Sequence, residues 1–80
     1  MNLYLIRQTA NKGYDVYDSA VVIAIDEFAA RYIHPGGGVF SDTDWADSFD
    51  VVEVVFLGAA SVQAIKHAKN GIICASFNAG

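Results

Sequence analysis

Tyr14–Gly38, YDVYDSAVVIAIDEFAARYIHPGGG, is the stretch whose reading decides the fold. Val21, Val22, Ile23 and Ile25 form a β-branched run, which predicts a strand over about Ser19–Ile25 with both faces covered. Asp26 follows as an N-cap, its carboxylate placed to accept the amide of Phe28 or Ala29. Phe28, Ala29, Tyr32 and Ile33 recur at helical spacing, so they form the apolar face of a helix reaching His34. Pro35 disfavours α conformation at His34 and three glycines follow, which limits that helix to about two turns. So short a helix is not stable alone in water. It has to lie on a sheet supplied by the rest of the chain.

Working outward, Asn2–Thr9 (NLYLIRQT) reads as a first strand. Leu3 and Leu5 share one face and Tyr4 and Ile6 the other, while Arg7 and Gln8 carry the run towards solvent. Asn11, Lys12 and Gly13 give a turn signal. Tyr14–Asp18 is either a strand extension or an ordered loop. After the helix, Gly36–Asp50 (GGGVFSDTDWADSFD) is a long acidic loop. Its Val39, Phe40, Trp45 and Phe49 are apolar enough to anchor it over an edge of the core. Val51–Leu57 (VVEVVFL) reads as a third strand ended by Gly58, and residues 61–68 as a second short helix capped by Ser61. Asn70-Gly71 supplies a left-handed stop, and Ile72–Phe77 (IICASF) a last strand before the Asn78-Ala79-Gly80 tail. The order β-β-α-β-(α)-β, with short connections, predicts a mainly antiparallel four-stranded sheet with helix on one face. That is an α+β fold, with residues 1–80 forming a single domain; strand order stays open.

Composition narrows the classes. A chain of 80 residues that is 54% hydrophobic and 12% aromatic can form a core, though a domain this size has a stability on the order of only 5 kcal/mol. Cys74 is the only cysteine, which excludes an internal disulfide and a cysteine-based zinc site. With no secretory h-region and no apolar run long enough for a membrane span, the chain reads as soluble and intracellular. Net charge is −4 and strongly segregated. Arg7 and Lys12 lie near the start and Lys66 and Lys69 near the end. All the acids fall in residues 13–65, opposed there by Arg31 alone. Such a middle disfavours direct nucleic-acid contact, which needs Lys and Arg against phosphate. It suits a basic protein surface.

Several chemistries can be weighed residue by residue. Cys74 with His34 or His67 is the only conceivable nucleophile–base pair, but a cysteine in an apolar strand is more often a small core residue. No metal-ligand spacing is present, and Asp42-Thr43-Asp44-Trp45-Ala46-Asp47 lacks the glycine and terminal glutamate of a calcium loop. No cofactor is implied. Gly36-Gly37-Gly38 leaves a helix rather than opening one, so it does not cradle phosphate. The functional candidate is the acidic set Asp42, Asp44, Asp47, Asp50 and Glu53, with Trp45 and Phe49 interleaved. It can imitate spaced phosphates and offer aromatic anchors to a Lys/Arg-rich partner. Asp15 and Asp18 extend it if their segment lies nearby.

Three segments taken together, Tyr14–Val22 (YDVYDSAVV), Ala30–Gly36 (ARYIHPG) and Gly71–Gly80 (GIICASFNAG), resemble a family of small phage-borne and prophage-borne proteins. Variants of YDS-A-V-V, A-R-x-I-H-P and a terminal A-S-F-N-A-G recur there in that order. The set also looks like an anti-CRISPR protein acting on a type I system of subtype I-C. The resemblance implies a stoichiometric inhibitor; the chain itself reads as non-enzymatic, a monomer or weak homodimer, with the host cytoplasm as its compartment. It would bind the crRNA-guided surveillance complex, Cascade, as a DNA mimic and block target DNA. The alternative is a phage accessory or structural protein that self-associates or binds another basic host protein.

Overall fold

The computed structural model describes residues 1–78 and has an α+β fold. Ala79 and Gly80, which complete the predicted tail and the GIICASFNAG segment, lie outside the described residues. Strand β1 is Asn2–Arg7, β2 is Val16–Ala24, β3 is Glu53–Ala59 and β4 is Ile72–Asn78; helix α1 is Glu27–Arg31 and α2 is Val62–His67. The strands make one sheet in the order β3-β1-β2-β4, with every neighbouring pair antiparallel. Asn2 lies opposite Ala24 and Ala59 at one end of the sheet, and Arg7 lies opposite Ser19 and Glu53 at the other. At about 3.4 Å per residue the two ends are about 17 Å apart.

Tyr4, Ile6, Ala20, Val22 and Ala24 point to the core face, where Ala30 of α1 and Trp45, Ala46 and Val52 of the following loop cover them. The opposite face is less enclosed. Ile23 is buried there, whereas Leu3, Leu5, Val21 and Val55 are only half-buried, so the predicted two-sided covering is partial.

Several boundaries shift for local reasons. β2 starts at Val16 rather than Ser19, because Val16 and Tyr17 pair with Asn78 and Phe77 across an irregularity at Asp18. β3 starts at Glu53 because Phe49–Val51 is drawn into a 3-10 turn, and it runs through Gly58 instead of ending there. Gly58 has φ +142° beside a shift in register between β1 and β3, a conformation that suits glycine. Gln8 is buried, not solvent-facing. Its amide donates to the carbonyls of Asn11 and Tyr17 at 2.8 and 3.1 Å and accepts from the Asn11 amide at 2.7 Å.

Asp26 caps α1 as expected, accepting from the Ala29 amide at 2.8 Å. The helix stops at Arg31, and its buried stripe differs from the predicted one. Ala30 is fully buried and Ala29 and Ile33 are partly buried, while Phe28 and Tyr32 are 63% and 45% exposed. A helix of five residues presents a narrow contact line, and the small Ala30 occupies it. The two bulky rings are displaced to its flank.

Helix α2 carries the chain from β3 to β4 past the Asn2–Ala24 end of the sheet. Ser61 caps it, accepting from the Ala64 amide at 3.0 Å. Asn70 and Gly71, at φ +54° and +80°, do not cap it but form a two-residue turn. Lys69 and Ile72 close that turn with reciprocal bonds of 3.0 and 2.9 Å, the pattern Asn-Gly favours in hairpins. Cys74, expected in the core, is exposed on β4, because that strand forms an edge of the sheet. Among the described residues no helix is long and apolar enough to cross a membrane.

Candidate protein-binding surface

The acidic loop between α1 and β3 is built from the inside outward. Trp45 and Ala46 are fully buried beneath it, so the loop is fastened by one of the largest side chains of the core. Backbone bonds add to that hold. The amide of Tyr17 donates to the Asp44 carbonyl at 2.8 Å, and the Asn11 side-chain amide donates to the Trp45 carbonyl at 3.0 Å. Asp44 takes φ +57°, a left-handed conformation that Asp tolerates better than most residues, and its carbonyl meets Tyr17. At the loop's far end the Arg31 guanidinium donates to the Val52 carbonyl and lies 5.7 Å from the centre of the Phe49 ring.

His34 closes the near end. Its Nε2–H donates to the Thr43 carbonyl at 2.6 Å and its Nδ1 accepts from the Gly36 amide at 2.9 Å, which assigns the neutral tautomer with the proton on Nε2. The Gly37 amide donates to the His34 carbonyl at 2.8 Å. The Gly36 and Gly37 amides are therefore spent within the turn. Both ring nitrogens of His34 are engaged, so the ring acts here as a clamp on the loop.

The sequence-predicted acids separate into two groups on this scaffold. Asp42, Asp44, Asp47 and Asp50 are exposed along the loop, and no cation pairs with them among the described residues. Asp15 and Asp18 are exposed too, and the Tyr17–Asp44 bond sets their segment beside the loop. Asp15 also has a left-handed backbone, φ +59°. Glu53 is different. It sits at the start of β3 and meets Arg7 at 2.7 Å, and the hydrogen bond from that guanidinium, with its charge, holds the Glu53 carboxyl below the usual range. Its charge is offset within the molecule. Asp26 and Glu27 are likewise occupied, one capping α1 and the other 3.7 Å from Arg31.

Trp45, expected as an aromatic anchor for a partner, is 0% exposed and cannot meet one. It belongs to the core because the loop must bury apolar surface to stay closed over the sheet. The accessible aromatics lie beside it, and three of them were not singled out for a partner. Phe28 and Tyr32 stack edge-on at 5.1 Å, Tyr32 lies 4.6 Å from Phe49, and Phe40 meets Phe49 at 5.8 Å. Phe28 and Tyr32 are exposed and Phe49 half-buried. The signal was an i, i+4 aromatic pair on a helix too short to bury both rings.

The arrangement is a run of exposed, unpaired aspartates on a loop fastened by a buried tryptophan, with accessible aromatic rings packed around Phe49. It can accept charge-assisted hydrogen bonds from Lys and Arg, and cations can lie over its rings. Among the described residues no group of three His, Cys, Asp or Glu side chains is placed to hold a metal ion. Comparison with known protein families, curated proteins and solved structures gives no match to this chain.

Proposed function

We propose that the protein is a stoichiometric inhibitor of the anti-CRISPR kind, acting by occupation rather than by chemistry. In this reading it binds the Lys/Arg-rich nucleic-acid path of a type I surveillance complex, Cascade, in the host cytoplasm and keeps target DNA out. The observation that carries it is the exposed, uncompensated set Asp42, Asp44, Asp47 and Asp50 on a loop pinned by Trp45 and His34. A preorganised ligand loses little entropy on binding, and its fixed carboxylates offer the partner an array like that of spaced phosphates. The family resemblance points the same way.

The test is target-duplex binding by a purified type I effector, with and without saturating protein. Loss of DNA binding is expected; unchanged DNA affinity rejects the proposal. Each desolvated charge pair contributes about 1.5 kcal/mol or more, so Asp42→Asn, Asp44→Asn and Asp47→Asn together weaken capture by at least about tenfold without unfolding the chain. A second reading rests on β4, an exposed edge strand whose sequence IICASFN carries no charge. Such an edge is prone to pair with another strand, which favours a self-associating accessory protein. Sedimentation that shows only monomer over a wide concentration range removes it.

A further inference from the structure

We propose that the cleft between α2, the Asn70–Gly71 turn and Gly36 binds a small phosphorylated molecule of about nucleotide size. Lys66, His67 and Lys69 line this cleft, together with Ile72, Ile73 and Gly36. Its volume of about 580 Å³ lies within the usual range for small-molecule sites. Among the described residues no carboxylate lines it, and the ion pairs there, Arg7–Glu53 and Arg31–Glu27, are elsewhere. Positive charge thus gathers at one place in a chain of net charge −4. Lys66 and His67 suit the C-terminal end of α2 for helix-dipole reasons alone. Lys69 lies beyond that helix and has no such role.

The cleft is also held in shape. Lys69 is fixed by its two backbone bonds to Ile72, across a turn whose Asn70 and Gly71 both have positive φ. The Asn70 side-chain amide reaches to 3.5 Å from where a Cβ on Gly37 would stand, so the two walls approach closely there. Lysine ammonium groups recognise a phosphate dianion as point charges, and the isoleucines give a ring or sugar an apolar surface. A long polyanion would be repelled by the segment carrying the acids, which favours the small molecule over a nucleic-acid strand.

The experiment is an amide NMR titration of the full chain with AMP, with adenosine and a short single-stranded RNA as comparison ligands. AMP is expected to shift Lys69, Asn70, Ile72 and Ile73 saturably, and adenosine not to. The double variant Lys66→Gln, Lys69→Gln, altered only at exposed side chains, is expected to keep its spectrum elsewhere and to bind AMP at least about tenfold more weakly, each charged hydrogen bond counting for that much. The proposal is overturned if AMP leaves these amides unmoved, if the double variant binds it equally well, or if adenosine binds as tightly. RNA that binds the same cleft more than tenfold tighter than AMP replaces the small molecule with a strand. The triple Asp→Asn variant tests the acidic loop and is expected to leave AMP binding unchanged.

Discussion

Truncating Trp45 gives the sharpest measure of how the acidic loop is held. The indole is fully buried and joins β1, β2, α1 and Val52 in one cluster, so Trp45→Ala removes contacts from every side at once. Aromatic-to-alanine changes in such sites cost about 3–5 kcal/mol. A chain of this length has on the order of 5 kcal/mol in all, so the variant is expected to keep at most about 2 kcal/mol and to be partly unfolded before denaturant is added. Trp45→Phe separates two contributions. The indole Nε1–H is buried and has no hydrogen-bond partner among the described residues, and an orphaned donor costs about 1–3 kcal/mol. Phenylalanine removes that donor while leaving a partial void costing about 1–2 kcal/mol, so the two effects nearly cancel. Urea unfolding followed by far-UV circular dichroism reads both variants without using the lost fluorophore. The reasoning is refuted if Trp45→Ala stays within about 1 kcal/mol of the parent. It is also refuted if Trp45→Phe costs as much as Trp45→Ala, which would mean that the indole N–H had a partner.

Gly71→Ala is expected to destabilise by about 1–2 kcal/mol, because φ is +80° and a left-handed L-residue costs that much; thermal unfolding measures it, and an unchanged midpoint refutes it. For the Arg7–Glu53 pair the sign follows from Glu53, whose carboxyl is depressed by the hydrogen bond from Arg7 first and by its charge second. A depressed carboxyl stabilises above its unfolded range and loses that contribution as pH falls through the folded value. Glu53→Gln should therefore flatten the acid limb of a melting-temperature profile, and superimposable limbs would refute the pairing. Added salt screens the loop's self-repulsion and its attraction for a cationic partner alike. Thermal stability is expected to rise while partner capture weakens, and capture that does not respond to salt would favour the uncharged β4 edge.

Features set by neighbouring residues were legible in the sequence. Asp26 and Ser61 cap their helices as read, since a cap needs only a side-chain oxygen and an amide three residues on. The α+β class followed from element order and short connections. What failed depends on distant parts of the chain. The Asn-Gly signal was recognised, but whether it ends a helix or turns a hairpin depends on Lys69 meeting Ile72. Cys74 was read as core because its strand is apolar, whereas exposure follows from its place at the sheet edge. Periodicity assigned Phe28 and Tyr32 to the buried stripe, yet α1 offers the sheet only Ala30 and its partly buried neighbours. The exposed aspartates of the site were legible by spacing alone. Trp45 was legible as an anchor of the loop over the core, which excludes its other reading as a contact for a partner, whereas Val39, read as a second anchor, is exposed; that Glu53 is neutralised follows from tertiary pairing with Arg7.

The same construction bears on how a partner would be met. A glycine-rich loop carrying unpaired aspartates has every electrostatic reason to move out into water. Here its middle is a core side chain, and His34, Tyr17, Asn11 and Arg31 each bond to its backbone. Opening the loop would expose Trp45 and unpair those groups together, so it cannot fray separately from the fold. The backbone that carries the carboxylates is consequently held by the fold, and their mutual repulsion is met by the folding energy of the domain. A small fold that commits its central tryptophan to such a loop gives up stability in return for a fixed array of charge. In the role proposed above, a fit to a cationic groove would depend on the packing of that one buried ring.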